Sequence, residues 1–268
     1  MKKLTTLLLL LLIAPLAATA NTDESPFAFQ GSATWFSNAY ALGSAHNTQD
    51  ISLLALPSLT TGKYTHAFKI EAAKTVSDQY AKWLISDGIY SIARPLWKKA
   101  ELLKISASTK ITLPLSVKSR HNTSLLMKVA LTPSFKLSSF HSFFKSIELL
   151  YAPTLSKHFH KYRTSRSGNT NPSYALGNTI SLVESPSDHL SFSLTFATTQ
   201  AWNQDNKRLP PVYAFEQEVS YTFKNNANVA LGHSQADNMY NGASESDLHL
   251  QLHDPYASTY YLSVSKTF

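Results

Sequence analysis

The sequence contains no cysteine, which excludes a disulfide framework and a lipid-anchored cysteine behind a leader. Glycine is scarce, 8 in 268 residues, and neither a Gly-rich phosphate loop, a Cys/His zinc pattern nor a G-x-S-x-G elbow occurs. No motif for a cofactor or a metal is present. Charged residues make up only 15%. No compact Arg/Lys run with interleaved aromatics appears, so nucleic acid is not an expected partner. Beyond the first twenty residues no apolar run reaches the length of a membrane-spanning helix, which excludes a helical inner-membrane protein.

What is present begins with an export signal. Lys2 and Lys3 precede the apolar stretch Leu7 to Ile13, and Ala18-Thr19-Ala20 forms a small-x-small cleavage site. Residues 1–20 are thus expected to be a signal peptide, leaving residues 21–268 as a single domain. Lacking cysteine, that domain must be held by core packing or by closure of a barrel. Its balance is basic: 24 Lys and Arg stand against 17 Asp and Glu, with two of the basic residues inside the leader. The excess points to anionic partners such as lipopolysaccharide phosphates or acidic solutes.

The dominant pattern has period two. From 105 to 117 one parity reads Ile105, Ala107, Thr109, Ile111, Leu113, Leu115, Val117, and the other reads Ser106, Ser108, Lys110, Thr112, Pro114, Ser116. The stretch 125–138 repeats it, with Leu125, Met127, Val129, Leu131, Phe135 and Leu137 against Lys128, Ala130, Thr132, Ser134, Lys136 and Ser138. A strand sends successive side chains to opposite faces, so one face meets an apolar medium and the other a polar one. Soluble sandwiches alternate too, and a soluble periplasmic β-protein is the rival fold. Three features favour membrane. The alternating runs are long, the polar parity is mostly Ser, Thr and Ala, and aromatics gather near run ends, as Tyr213, Phe215, Tyr221 and Phe223 do. Roughly eight to ten residues at about 3.4 Å, tilted about 40°, cover the apolar band of an outer-membrane barrel.

Turn signals divide the chain into strands at 29–42, 49–59, 63–76, 86–97, 103–118, 123–138, 143–157, 172–184, 189–202, 211–224, 227–240 and 246–268. The expected fold is all-β: a transmembrane, antiparallel up-and-down barrel of about twelve strands, ten or fourteen remaining open because 77–102 alternates poorly. An even count puts both termini on the periplasmic side. The last strand is expected to be one element of about twenty residues, since a single parity runs unbroken from Leu248 to Phe268.

Tyr260, Leu262, Val264 and the terminal Phe268 resemble the C-terminal signature of Gram-negative outer-membrane β-barrel proteins. Lys266 stands where that signature more commonly has an apolar or aromatic residue. The resemblance implies an outer-membrane location, recognition of these four residues by the barrel assembly machinery, and contact with outer-membrane lipid and lipopolysaccharide.

The lumen is the first place to look for function. With the apolar parity on lipid, Lys69, Glu71, Lys110, Lys118, Lys128, Lys136, Glu216 and Glu218 are expected to line it. They form either a charged wall selecting small polar solutes, Lys favouring anions, or a set of pairs that plugs the barrel. The expected function is a porin-like passive pore or transporter for such solutes. Similarity to narrow solute channels, some with basic linings for acidic sugars, implies the same. The alternatives are an enzyme at the outer face and a structural or adhesive barrel with a closed lumen. For an enzyme, His249 and His253 at the outer mouth, with His158, His160, Asp237, Glu245, Asp247 and Asp254, would serve a protease-like His–Asp pair or a metal. A lipase-like site at His233, Ser234 and Asn238 fails on geometry, because adjacent residues point to opposite faces.

Overall fold

The computed structural model describes residues 25–268 apart from 41–43, 45, 77, 79, 100–101, 140–145, 241–249 and 255–256. The expected signal peptide and the candidates Glu245, Asp247 and His249 lie outside the described residues. Thirteen strands follow one another: β1 Phe27–Asn38, β2 Gln49–Thr61, β3 Tyr64–Thr75, β4 Leu84–Ile85, β5 Gly88–Lys99, β6 Leu103–Leu113, β7 Leu125–Ser139, β8 Ser146–His160, β9 Tyr174–Ser185, β10 Leu190–Trp202, β11 Val212–Thr222, β12 Ala227–Asn238 and β13 Ser258–Thr267. Twelve form the wall. Each pairs antiparallel with the strands before and after it, and β13 pairs with β1 to close the ring. The two-residue β4 only tops β3.

Closure leaves two different faces. Half-buried polar side chains on one parity tie neighbouring strands together: Thr34 to Ser263, Ser52 to Glu71, Ser181 to Thr195, and Ser191 to Ser220. Residues of the opposite parity stand out from the wall, with Leu131 at 50%, Leu155 at 57% and Leu231 at 62% exposure. Such a surface is stable only against hydrocarbon, and the polar face is the lumen. Aromatic pairs mark both edges of the outer surface. Tyr174 stacks on Trp202 at 5.1 Å near the loop end, and Tyr221 meets His189 at 5.7 Å near the turn end. Lys266, the departure from the terminal signature, sits at the turn-end rim with its Nζ 5.0 Å from the Phe268 ring. A long cationic side chain there reaches the headgroup level.

Prolines mark irregularities within the wall. Pro133 and Pro153 face each other in β7 and β8, where the ladder between Leu131–Leu155 and Phe135–Tyr151 is interrupted. On the lumen side Thr132 and Thr154 bridge that gap with hydroxyls 2.9 Å apart. At Pro95, which has no N–H to donate, the β5–β6 register slips before Trp97, which accounts for the weak alternation read there.

Two expectations are corrected. The strand read as 103–118 stops at Leu113, where its partner β5 also begins, at Gly88. Pro114 follows, and Lys118 lies in a π-turn, Lys118–Asn122, above the wall instead of facing the lumen. Asp87 pins that turn, accepting from Ser116 N at 2.9 Å and from the Ser119 hydroxyl. Burial alone would raise the Asp87 carboxyl; these hydrogen bonds outweigh it and hold the carboxyl below its ordinary value. The last strand is not twenty residues long. It begins at Ser258, after a turn in which Ala257 N and Ser258 N donate to Asp254 O. Its neighbour β1 ends at Asn38, opposite Thr259, so residues before 258 have no strand on that side to pair with.

The ring closes through Phe268. Its N–H donates to Phe29 O at 2.8 Å, Phe29 N–H donates back at 3.1 Å, and the rings stack at 6.2 Å. Phe268→Ala removes the ring while keeping both backbone bonds. The temperature at which the folded band on an unboiled SDS gel is lost should fall, by an amount matching roughly 1–3 kcal/mol. An unchanged transition would show that the seam does not depend on the ring.

Candidate functional site

Twelve strands about 4.8 Å apart and tilted about 40° close a circle roughly 24 Å across at the Cα atoms. Alternation decides which side chains enter it. On β6 and β7 the even residues point inward, bringing Lys110 and Lys128 onto neighbouring strands, with Lys128 directly opposite His158 of β8. Lys136 also points inward and pairs with Glu148 of β8 at 2.6 Å. On β3 the odd residues face inward, and Lys69 pairs with Glu71 at 3.1 Å. These two ion pairs run along the wall, between neighbours in one strand or adjacent strands. Neither crosses the lumen. Among the described residues, Lys110 and Lys128 have no acidic partner.

The carboxylates gather on the other side. Glu216 and Glu218 of β11 face inward, four and five strands round from β7 and β6. The Tyr261 hydroxyl of β13 lies 2.5 Å from Glu216 Oε1 and 2.8 Å from Glu218 Oε2. To reach them the ring lies flat across β12 over Gly232, its register partner. A Cβ at Gly232 would stand 2.2 Å from the ring. The largest inward aromatic is therefore laid against the wall. Asp50 of β2 faces the lumen two strands further on, beyond Phe36. At the turn end a cavity of about 700 Å³ is lined by Gln30, Glu218, Asn228 and small hydroxyl residues.

Sequence reasoning missed Tyr261 and Gly232, which carry this arrangement. The signal was available: a glycine inside a strand often marks close approach of another group. His158, near the loop end of β8, is a lumen residue beside Lys128, and its ring stacks on that of His160 at 6.1 Å.

The outer-mouth candidates fall elsewhere. His253 was expected at the outer mouth, within one long last strand; it lies in the segment before β13, which folds against the outer wall. There its ring is 5.8 Å from His233 and 6.3 Å from Tyr260. The same segment caps Tyr213, whose hydroxyl donates to Gln251 O at 2.9 Å and accepts from Gln235 Nε2 at 3.1 Å. His233 faces outward, with Nδ1 3.4 Å from Gln217 Nε2, whereas Ser234 is in register with inward-facing Glu216. His and Ser are thus on opposite sides of the wall. No group of three metal-ligating side chains occurs among the described residues. Of the assembly-signal residues, Tyr260, Leu262 and Val264 face outward on β13, on the same parity as Phe268.

No family model matches the sequence, and no curated protein matches it. The structure is similar to an outer membrane channel from Pseudomonas putida F1, with a TM-score of 0.62 and 10% identity over 91% of this chain and 97% of that one. It is also similar to the NanC porin, with a TM-score of 0.52 and 9% identity over 89% of this chain and 98% of that one. At these identities the likeness is one of fold. In architecture the protein is an outer-membrane β-barrel, closed by twelve antiparallel strands.

Proposed function

We propose that the protein is exported to the outer membrane of a Gram-negative cell and acts there as a passive pore for small polar solutes, favouring anions. The observation that carries this reading is the pair Lys110 and Lys128, without acidic partners on one side of a lumen whose other ion pairs lie along the wall. A desolvated cation in a narrow aqueous passage raises the local concentration of anions. The flattened Tyr261 ring and the lining of Ser, Thr and Ala leave room for solutes to pass. Similarity in fold to a channel and a porin supports the same reading. Short turns with the termini at the periplasmic end, and the longer loops outside, complete it; the C-terminal residues Tyr260 to Phe268 would be what the assembly machinery reads.

The test is conduction by the refolded protein in planar bilayers. Channel steps should appear, with reversal potentials in a KCl gradient showing chloride preference. Lys110→Glu with Lys128→Glu should move the permeability ratio toward potassium. Absence of steps at any salt concentration would overturn the pore reading in favour of a closed, structural barrel.

A second measurement concerns the wall opposite. Gly232→Val pushes the Tyr261 ring off β12 and into the passage, so single-channel conductance should drop. Adding Tyr261→Ala should restore it to wild-type level or above. Equal conductance in all three proteins would show that the ring does not border the path.

A further inference from the structure

Cationic side chains gather at a second place, unconnected with the lumen. Three neighbouring connections, β6–β7, β8–β9 and β10–β11, form a continuous shelf at the loop end of the barrel. Hydrogen bonds lace them to one another. Arg166 N donates to Asn122 O at 2.9 Å and Lys161 N to Ser124 O at 2.9 Å. Asn171 Nδ2, in a residue only 2% exposed, donates to both Thr123 O and Tyr162 O. Arg163 pairs with Asp205 at 3.0 Å across the second and third connections. The Tyr174 hydroxyl donates to Asn206 Oδ1 at 3.2 Å.

This shelf carries Arg120, Lys161, Arg166 and Lys207, all exposed and, among the described residues, without acidic partners. Its carboxylates are already engaged, Asp205 by Arg163 and the adjoining Asp87 by Ser116 and Ser119. The charge is therefore uncompensated. It also reaches the outer wall. Lys157, of outward parity on β8, has Nζ 5.9 Å from the Tyr174 ring and donates to Ser173 Oγ at 2.7 Å. Arg208 bonds Gln200 on the outward face of β10. Directly below lie the outward Leu155, Phe159, Leu176 and the stacked Tyr174–Trp202 pair. A row of fixed cations above an apolar wall complements an amphiphile with several negative charges in its headgroup. A soluble anion would make no use of the wall.

We infer that this shelf is a docking surface for a glycolipid bearing two or more phosphates, its headgroup on Lys157, Lys161, Arg166, Lys207 and Arg208 and its acyl chains against β8–β10. Several cations spread over three connections match several phosphates better than one. Cross-bonded backbones hold them in place before binding, so little ordering opposes it. At the opposite end Lys63 and Lys224 stand on separate short turns.

The experiment uses the mature barrel refolded in zwitterionic detergent and titrated with a bis-phosphorylated glycolipid of the lipid A type in mixed micelles. Phosphatidylglycerol and free pyrophosphate are titrated in parallel. Binding should weaken with added salt. K161Q/R166Q/K207Q removes three charges while keeping each backbone bond, and should bind at least about tenfold more weakly, each neutralised cation near an anionic surface counting for about fivefold before screening. K63Q/K224Q should bind as wild type. Folding of each variant is checked by its heat-modifiable gel band; if the triple variant misfolds, R166Q and K207Q singly should each weaken binding about threefold. Equal binding by wild type and the shelf variants would overturn the inference. So would phosphatidylglycerol binding as tightly as the glycolipid, or pyrophosphate displacing it at equal concentration. Binding is read without conduction, so a barrel that passes no current still tests the shelf.

Discussion

Hydrocarbon offers no hydrogen bonds, and the rest of the structure answers to that fact. Every amide in a lipid-facing wall needs a partner inside the protein, and an open sheet edge in the membrane would leave a whole row unmet. Pairing of β13 with β1 removes the last edge. Once the ring is closed, each strand has exactly two faces and two solvents. The alternation of Leu and Phe with Ser and Thr is then a requirement of the surroundings at every position. The absence of cysteine fits the same logic, since closure supplies the constraint that a disulfide would supply in a small exported domain.

That constraint also explains where polar groups are tolerated on the outer surface. Tyr151 donates to Asn178 Oδ1 at 3.0 Å, so two outward polar groups satisfy each other within the wall. The outward Tyr213, Gln235 and Ser258 are among the most buried side chains of the protein, at 2%, 2% and 1% exposure. They achieve this outside the barrel, because the segment before β13 lies over them and supplies Gln251 and Asp254 as partners. A polar patch on a lipid-facing wall would be costly if bare. Covering it with chain lowers that cost.

Most of the wall was legible because period two survives small errors of position: strands read as 143–157 and 172–184 are found at 146–160 and 174–185. Proline was the weak point. The pattern runs through Pro57, Pro133 and Pro153 and the strands do continue, because partners flank them on both sides. It runs equally well through Pro114, where the strand has stopped, and through the residues before Ser258, where β13 has not begun. The difference lies in the neighbours: β5 begins opposite Leu113 and β1 ends opposite Thr259, so one side of the ladder is lost. A single sequence does not display where its partner strand ends. The lumen was less legible than the wall, for the related reason that Tyr261 and Gly232 meet across strands only once the register is known.

Parity finally separates two uses of positive charge that composition alone merges. Lys157 and His158 are adjacent in sequence, yet one stands over the outward Tyr174 ring and the other faces Lys128 in the lumen. The same alternation sends Lys110 and Lys128 toward passing solute and places Lys157 at the level of lipid headgroups. A one-residue slip in β8 would exchange these roles, turning Lys157 into the passage and Glu148 and His158 toward hydrocarbon. The register of β8 is fixed on both sides by long ladders to β7 and β9. The basic excess of the chain is thus divided between lumen and rim by strand pairing, and each share can be altered without disturbing the other.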